Sequence, residues 1–528
     1  MTMPSTGLDD DPRSYADFLN EISDEELYEG LVGYGLIGEK LPPVFTSESF
    51  LDYCKKKSHN FAINSRSGHG FVAYRCAQNY RSYRMLGIPT PMAYEHLCSK
   101  LKNNWSKIRD YFERMTVSQD YKVSRIHIRK MRDDKKSLFD MNYKNWRLDG
   151  DPIPDVLLGA RYCVSTDISK CFPSIYTHAV EWALAGKGEV KARRKQKGKG
   201  RGFWEGEIDS ALAKTTNNET HGILIGPHAS NLVSEMILSR IDFELSERWH
   251  YVRHIDDIDC YVSSREEADA FIRDFDKSLM KYGLARNVPK TKVVELPYGL
   301  QSRWVRALKR YPLPTGRPLR YPDVSAFLDY AIDLERSEDN LAVLNYALKT
   351  VSGFEMTENA AAYLLKVFGH LASIHPYLIA RLEAVMINVG CIDRMLLKKI
   401  SDVVYSRSIK EGNYYSAYFA LYFAIKYKFE LSEYDNAAVI GSDDCLLKFF
   451  ALVYCGKKNK TRWISVLRDN ARSLRDSGDF ESNWVFCYEA LKSDDLPSDD
   501  WKGIKNKKVS FYDDAAFGVD DDTKALLR

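Results

Sequence analysis

The chain has 528 residues, of which 45% are hydrophobic and 12% aromatic, and it carries 76 Lys and Arg against 73 Asp and Glu. That length predicts more than one domain, and the apolar content excludes an intrinsically disordered chain. The net charge of +3 excludes a general polycation, so a nucleic-acid surface would have to be local.

Neither membrane insertion nor secretion is predicted. No uninterrupted apolar run reaches the length of a membrane span, and the polar, acidic residues 1–13 do not form a secretory signal. The 10 cysteines contain no CxxC pair and no zinc spacing, so we expect free thiols in a reducing cytosol. The sequence therefore predicts a cytoplasmic protein with no membrane partner.

The first predicted elements are short helices, turns and a basic hairpin. Residues 24–101 mix helical patterns with turn residues. Residues 121–146 alternate in a strand pattern on both sides of a polar turn, which predicts a β-hairpin rich in Arg and Lys. Arg125, Arg129 and Lys130 lie on this hairpin.

Strands and helices then alternate. Tyr162–Ile168 predicts a strand that ends in an acid, and Tyr251–Val262 predicts two strands joined by an acidic turn. Pro227 is predicted to open one helix, and Ala268–Tyr282 predicts a second, amphipathic one. Between these elements, Lys187–Arg201 is rich in Lys, Arg and Gly and predicts a flexible loop, either merely solvated or following a nucleic-acid backbone.

Beyond about residue 321 only helical patterns remain, at 360–371, 377–389, 395–405, 414–427 and 446–454. Short connections between them predict a C-terminal all-α domain. No clean period is visible, so whether the helices form repeats stays open. The tyrosines of 414–427 predict internal packing, with base stacking or protein priming as alternatives. The acidic tail is predicted to be solvated and partly disordered.

Three aspartates are candidate metal ligands. Adjacent aspartates are common in this chain, so Asp256-Asp257 is informative only because largely apolar strands flank it. Crowded carboxylates beside a core are unfavourable unless a cation neutralises them. Asp167 ends another apolar strand, and two adjacent strand ends would bring the three acids to one point. Hard oxygen ligands favour Mg²⁺ and two-metal phosphoryl transfer; the alternative is a solvated acidic hairpin and an unrelated turn.

Four segments in order resemble the motifs of bacterial reverse transcriptases. They are Ser165–Ile175, Gly222–Asn231, Arg253–Asp257 and Tyr282–Lys292. The first and third resemble the catalytic palm motifs, and the second resembles the segment that contacts the templating base and the incoming nucleotide. Two departures are His254, where the family usually has Tyr or Phe, and Ile225, where retroviral enzymes have Gln.

The resemblance implies a right-hand polymerase, an α+β fold with fingers, palm and thumb, followed by the C-terminal all-α helical domain. We expect an N-terminal extension over residues 1–65 and a fingers and palm core over 66–297. A thumb would follow over 298–335, and the helical domain, repeat-like or not, over 336–528.

The resemblance also implies catalytic roles. Asp167, Asp256 and Asp257 would be catalytic, and together with Ile168 they would hold two Mg²⁺ ions, with Mn²⁺ as an alternative. Lys290 would protonate the leaving pyrophosphate. The alternative for Lys290 is an ordinary surface lysine.

A second set of residues would contact the deoxynucleoside triphosphate. They are Phe172, Ile168, Gly226, Arg125, Arg129 and Lys130. In the family the aromatic residue at Phe172 packs under the sugar and excludes a 2′-hydroxyl, which predicts deoxynucleotide substrates. The three basic residues lie on the predicted fingers hairpin, where Arg gives bidentate phosphate contacts. The alternatives are a core Phe and a hairpin with solvated charges.

The Ile225-Gly226-Pro227 version of the second motif and the stretch Glu39–Thr46 resemble the defence-associated, abortive-infection branch. Members of that branch act against bacteriophage, and several use protein-primed, RNA-scaffolded or untemplated DNA synthesis. The resemblance thus implies an RNA-directed DNA polymerase, a nucleotidyltransferase that binds RNA or DNA. An associated non-coding RNA and a homo-oligomer through the C-terminal domain are further expected partners.

Three other interpretations stay open. An RNA-dependent RNA polymerase shares the double aspartate, but Phe172 argues against it. A retron or group II intron-like reverse transcriptase is close in chemistry, although no maturase or endonuclease zinc pattern is visible. The third is a catalytically minor chain whose helical domain is an oligomeric scaffold or toxin, and the intact aspartates argue against that.

Overall fold

The computed structural model describes residues 14–56, 61, 63, 67–77, 83–125, 128–130, 139–140, 150–195, 203–299 and 301–527. The chain forms two compact units. Unit 1 comprises Met1–Gly38, Ser47–Phe71 and Ile88–Tyr298, and unit 2 comprises Glu39–Thr46, Val72–Gly87 and Gly299–Arg528. The described part is mainly helical with small sheets, and the division into fingers, palm and thumb stays a prediction.

Unit 1 opens with helices whose first turns are capped by side chains. Ser14 and Ser23 accept hydrogen bonds from the third residue of their helices, and Asp17 and Glu26 bond back to the cap backbone. These reciprocal bonds satisfy amides that a helix start leaves unpaired. The helices are α1 (Tyr15–Asn20), α2 (Asp24–Tyr34), α3 (Glu48–Lys56), α4 (Pro91–Asn103) and α5 (Trp105–Thr116).

The strands of the described residues form three sheets. β1 (Phe71–Ala77) pairs with β2 (Tyr83–Pro89), and β3 (Arg129–Lys130) pairs with β4 (Phe139–Asp140). The third sheet has the order β6-β7-β5-β8, from β5 (Tyr162–Asp167), β6 (Tyr251–His254), β7 (Asp257–Val262) and β8 (Lys292–Glu295). β3 and β4 belong to the predicted basic hairpin, whose residues 126–127, 131–138 and 141–149 lie outside the described residues.

The four-stranded sheet brings two acid-bearing strand ends together. All its pairings are antiparallel, and Asp167 at the end of β5 is in register with Asp257 at the start of β7. β6 and β7 are joined by a turn at Ile255-Asp256. The predicted strand ending in an acid and the predicted strand–turn–strand are both confirmed.

Seven further helices of unit 1 lie within the described residues. They are α6 (Ile153–Val156), α7 (Cys171–Ser174), α8 (His178–Ala185), α9 (Lys187–Lys195), α10 (Trp204–Lys214), α11 (His228–Ser246) and α12 (Arg265–Lys281). α11 begins directly after Pro227, as predicted, and its buried residues include Glu235 and Asp242. α12 buries one face, with Phe271 and Phe275.

The predicted basic loop is largely a helix instead. α9 covers Lys187–Lys195, and residues 196–202 lie outside the described residues. Lys, Arg and Ala are good helix formers, and their preference prevails where the glycines are sparse. The prediction of a flexible loop is therefore wrong for Lys187–Lys195.

Within the described ranges, unit 2 is helical apart from residues 72–77 of β1 and 83–87 of β2. Its helices are α13 (Arg303–Arg310), α14 (Tyr321–Glu338), α15 (Ala342–Val351), α16 (Glu358–Ile374), α17 (Leu382–Asn388), α18 (Arg394–Glu411), α19 (Tyr415–Lys426), α20 (Asn436–Gly441), α21 (Cys445–Lys457), α22 (Thr461–Asp476), α23 (Trp484–Ala490), α24 (Asp499–Asn506) and α25 (Asp521–Ala525). The five predicted helical patterns fall on these helices, except that Pro376–Arg381 forms a 3₁₀ helix before α17.

Some side-chain hydrogen bonds of unit 2 span similar separations in sequence. Three of them span 36 residues, donated by Tyr377, Arg381 and Asn388, and three span 34 residues, donated by Arg394, Lys398 and Arg407. Others span 26, 30, 39 and 44 residues. The repeat-like arrangement of the helices therefore stays a prediction.

The tyrosines in and beside α19 pack inside unit 2. Tyr415, Tyr418, Tyr422 and Tyr427 are each at most 4% exposed, and their hydroxyls donate to Lys40 O, Asp444 and Glu383. Burial raises the pKa of Tyr418 well above its ordinary value. These contacts favour the packing interpretation over a priming hydroxyl, which has to reach a nucleotide.

The acidic tail is folded, which contradicts its predicted disorder. Ser498 caps α24, whose first turn contains Asp499 and Asp500, and Asp520 caps α25. Negative side chains at a helix start interact favourably with the unpaired amides there. The acids that suggested a solvated tail therefore start helices.

Two exclusions from the sequence can be compared with the structure. All 10 cysteines are free thiols, as predicted, and burial raises the pKa of Cys171 to about 12. None of the helices in the described ranges has the length and apolar character needed to cross a bilayer.

Candidate active site

The end of β5 and the β6–β7 turn bring Asp167, Asp256 and Asp257 to one edge of the four-stranded sheet. Asp167 lies opposite Asp257, and Ile168 N donates to Asp256 O at 3.1 Å. Ile255, which precedes the two acids, has a φ of 60°, a left-handed conformation unfavourable for a β-branched residue. The strained backbone of this turn therefore determines the positions of Asp256 and Asp257 at the edge of the sheet.

Asp167 is a buried carboxylate that is only partly satisfied. Its Oδ2 accepts from Lys290 Nζ at 2.7 Å and from Asn287 Nδ2 at 3.3 Å, and its main-chain O accepts from Asn287 N at 2.8 Å. Its Oδ1 is buried and has no hydrogen-bond partner among the described residues. A buried acceptor left unsatisfied costs about 1–3 kcal/mol, so this oxygen favours the approach of a cation or donor.

The acids repel one another. Loss of hydration on the protein side of Asp257, together with the charges of Asp256 and Asp167, raises the pKa of Asp257 to about 6, and Lys290 opposes this shift. The rest of the Asp257 side chain reaches solvent. A cation shared by these carboxylates would remove the repulsion.

The three aspartates fit a divalent cation by their chemistry. They offer only carboxylate oxygens, the hard ligands that Mg²⁺ prefers, and Asp167 Oδ1 is a buried acceptor in need of a partner. Across the described ranges, however, no three His, Cys, Asp or Glu side chains surround a common point in a geometry that would hold a metal ion. Lys290 Nζ stands beside Asp167 and supplies the neutralising charge there. The Mg²⁺ site stays a prediction that the donor set favours.

Phe172 and Gly226 lie on two segments that contact each other. Phe172 lies on α7, five residues after Asp167, and is half-buried. Its main-chain O accepts a hydrogen bond from Ile223 N at 3.0 Å. A Cβ on Gly222 would lie 3.2 Å from Pro173 O, so the close approach requires glycine. Gly226 also has a left-handed backbone, with φ 126°. The predicted contact of Phe172 with the sugar stays a prediction.

The three predicted triphosphate cations are engaged in other contacts. Arg125 is buried and donates to Lys122 O at 3.2 Å and to Gly150 O. Arg129 is buried with its guanidinium 5.7 Å from the centre of the Phe18 ring. Lys130 forms an ion pair with Glu26 and lowers the pKa of that carboxyl. Contact of these three residues with a triphosphate stays a prediction.

Part of the charge on α9 is neutralised within unit 1. Lys187 Nζ lies 4.0 Å from the centre of the Trp182 ring and donates to Lys281 O at 3.0 Å. Arg193 pairs with Glu189 and lies 3.7 Å from Glu205. Compared with the prediction, fewer cations of this segment are left for a nucleic-acid backbone.

The sequence did not single out Arg253, which is fully buried beside the aspartates. Its guanidinium donates to Asp242 at 2.6 to 3.1 Å and to Glu235 at 2.9 and 3.1 Å. Burial alone would lower the pKa of Arg253. The two carboxylates outweigh this effect and raise the pKa well above its ordinary value. The sequence feature that could have indicated its role is the position of an Arg in a largely apolar strand, because a buried Arg needs buried acidic partners.

No protein-family model matches the sequence, and no curated protein matches it. Solved structures of telomerase from Candida tropicalis are among the structural neighbours. An apo telomerase truncated from the C-terminal domain is 12% identical with a TM-score of 0.28, and the match covers 48% of this chain and 55% of that one, about half its length.

Two further telomerase structures from the same organism are similarly distant. The apo form is 10% identical, with a TM-score of 0.30 and coverage of 83% of this chain and 76% of that one. The complex with a TWJ fragment of telomeric RNA is 12% identical, with a TM-score of 0.28 and coverage of 76% and 69%. A likeness at this level carries no argument about this chain.

Proposed function

We propose that this chain is a reverse-transcriptase-type DNA polymerase that adds deoxynucleotides by two-metal phosphoryl transfer. The observation that carries the proposal is the register of Asp167 with Asp257, with Asp256 in the strained turn between β6 and β7. Carboxylates that repel one another weaken a fold, so a structural role does not explain them, whereas cation binding does.

The reaction joins a 3′-oxygen to the α-phosphorus of the nucleotide while the bond to the pyrophosphate oxygen breaks. When bound, two Mg²⁺ ions would lower the pKa of the attacking hydroxyl and neutralise the leaving group. Lys290, whose side chain is 68% exposed, would give its proton to the leaving pyrophosphate. Phe172 would press against the sugar and exclude a 2′-hydroxyl.

The cellular use that we propose is phage defence, with RNA or DNA and deoxynucleoside triphosphates as partners. This part rests on the branch resemblance of Ile225-Gly226-Pro227 and Glu39–Thr46. Sequencing the nucleic acid that copurifies with the chain tests it, because template and product are then identified together. A single structured non-coding RNA joined to its own DNA copy would favour a retron instead.

An incorporation assay tests the polymerase activity. The purified chain is supplied with Mg²⁺, labelled deoxynucleotides and either poly(rA) with an oligo(dT) primer or no nucleic acid. We expect label in polymer with the wild type and none with the double variant Asp256→Asn, Asp257→Asn. Asp259→Asn, on β7 two residues further along, is the matched control. Full incorporation by the double variant would show that the aspartates are not catalytic.

The oligomeric scaffold is the second candidate, favoured by the mainly helical second unit of the chain. Stacked helical pairs present an extended surface that other copies can bind. This candidate predicts no incorporation by any form of the chain, together with full cellular activity of the double variant. Light scattering of the purified chain would report the oligomer.

A further inference from the structure

Arg253 is among the largest fully buried side chains of the molecule, at 2% exposure. Every nitrogen of its guanidinium has an acceptor, because Nε and Nη2 reach Asp242, and Nη1 and Nη2 reach Glu235. Tyr251 Oη donates to Asp242 at 2.9 Å, and Tyr15 Oη donates to Glu235 at 3.0 Å. Arg253 is therefore held in one orientation by both carboxylates.

The same guanidinium also contacts the Ile255-Asp256 turn between β6 and β7. Arg253 Nη1 donates to Ile255 O at 2.9 Å, and Ile255 is the residue with the left-handed backbone. A left-handed conformation is sterically unfavourable for a β-branched residue, so it persists only where neighbouring contacts impose it. The bond from Arg253 is a contact of that kind.

The main chain of Arg253 is fixed as firmly as its side chain. Its N donates to Val123 O and its O accepts from Arg125 N, both at 2.8 Å. Both carboxylates that hold its side chain lie on α11, whose first turn belongs to the Gly222–Asn231 segment that resembles the nucleotide-contacting motif. Arg253 thus joins that helix to the turn that carries Asp256 and Asp257.

We propose that Arg253 is a positioning residue, which holds Ile255 in its left-handed conformation and so directs the carboxylates of Asp256 and Asp257 towards the metal ions. This inference rests on the proposed polymerase function for its kinetic consequence. Its structural consequence, the order of the turn, does not depend on that function.

The competing interpretation is that the buried charges only hold the fold together. The two interpretations differ at Ile255, because glycine adopts a left-handed backbone without steric cost. If Arg253 acts by imposing that conformation, Ile255→Gly repairs the loss of Arg253. If Arg253 only stabilises the fold, a change in the turn repairs nothing.

The test compares Arg253→Lys with the double variant Arg253→Lys, Ile255→Gly. Lysine keeps the positive charge, but it lacks the planar guanidinium group that donates to Asp242, Glu235 and Ile255 O at the same time. Arg248→Lys, at an exposed pair with Asp274, is the matched control. Three measurements are made on folded full-length protein: hydrogen exchange of residues 251–262, Mn²⁺ binding by calorimetry, and kcat and KM for a deoxynucleotide.

For Arg253→Lys we expect faster exchange of the turn amides and Mn²⁺ binding weaker by about tenfold, as for other supports of metal ligands. We expect kcat lower by about tenfold or more, the effect of one lost charge-assisted hydrogen bond. KM should stay within about twofold because nucleotide contacts are untouched. Adding Ile255→Gly should restore exchange, Mn²⁺ binding and kcat to within about threefold of the wild type.

The proposal is overturned if folded Arg253→Lys keeps wild-type exchange and Mn²⁺ affinity, or if Ile255→Gly restores neither. If the wild type incorporates no nucleotide, the proposed polymerase function fails. Exchange and Mn²⁺ binding still decide the role of Arg253 in that case, so the two failures are distinguishable.

Discussion

Unit 1 contains two clusters of carboxylates that share one hairpin. In the first, Glu235 and Asp242 are buried and receive hydrogen bonds from Arg253 and two tyrosine hydroxyls. In the second, Asp167, Asp256 and Asp257 have Lys290 as a neutralising cation, and one buried oxygen of Asp167 has no partner among the described residues.

The difference lies in what each cluster still lacks. A carboxylate whose acceptor sites are filled has nothing further to bind, and removing its partner leaves a buried charge uncompensated. A cluster with unfilled acceptors and mutual repulsion gains from a cation that comes from outside. Acids of the same type on neighbouring elements are therefore structural in the first cluster and, as we propose, functional in the second.

The largest expected effect is on activity, from Asp167→Asn. Metal ligation contributes several kcal/mol to a phosphoryl transfer, so we expect incorporation to fall by about a thousandfold or more. The folded structure should survive, because Asn retains the size of the side chain and removes a repelling charge. Incorporation rates and circular dichroism measure both, with Asp259→Asn as control. Equal losses in the two variants would mean that the Asp167 position is not special.

The second effect is on stability, from Arg253→Met. Removing the cation leaves Glu235 and Asp242 buried without a counter-charge, which costs about 3–5 kcal/mol. Urea unfolding should therefore show a much lower free energy of unfolding for this variant than for Asp167→Asn. If the two variants unfold at the same urea concentration, the contrast between the clusters is wrong.

The sequence predicted the placement of Asp167, Asp256 and Asp257 better than that of the buried cluster around Arg253. Asp167 and Asp256-Asp257 end strands with apolar flanks, and local pattern placed those strands correctly. The contacts of Arg253 could not be predicted. Its partners Glu235 and Asp242 lie on a helix, 18 and 11 residues before Arg253 in the chain. Only tertiary packing turns such a separation into a contact.

Charge alone did not predict local contacts elsewhere. Arg125 and Arg129 lie on the predicted basic hairpin and are both buried in contacts of unit 1, and their binding of phosphate stays a prediction. The Lys187–Lys195 segment is a helix rather than a loop for the same reason, since composition does not report local geometry.

A smaller effect is expected at Phe172, five residues after Asp167 in the chain. Phe172→Ala removes the ring that would press on the sugar, so discrimination against ribonucleotides should fall by roughly tenfold or more while deoxynucleotide addition persists. Competition between labelled dNTP and rNTP measures this ratio. Phe18→Ala, in which the lost ring contacts Arg129, is the control, and unchanged sugar discrimination at Phe172 would remove the steric-gate role.

The smallest effect is the pH dependence of stability at Asp257. Its pKa is raised from the ordinary value of 3.8 to about 6 in the folded chain, so the folded state holds this proton more tightly than the unfolded one. That contribution to stability is fully present below about pH 4 and is lost as pH rises through about 6.

Without metal, Asp257→Asn should therefore gain stability relative to the wild type between about pH 4 and 6, and the difference should stay constant at higher pH. Mg²⁺ at pH 7.5 should raise the melting temperature of the wild type more than that of the variant, because the ion binds the ionised carboxylates of the folded state. Thermal unfolding across pH, with and without Mg²⁺, measures both differences.

The structural cluster offers the contrast, since Asp242 is already paired with Arg253 and Mg²⁺ has no acceptor to fill there. An Mg²⁺ response that Asp257→Asn leaves unchanged would place the ion elsewhere and remove the distinction between the two clusters.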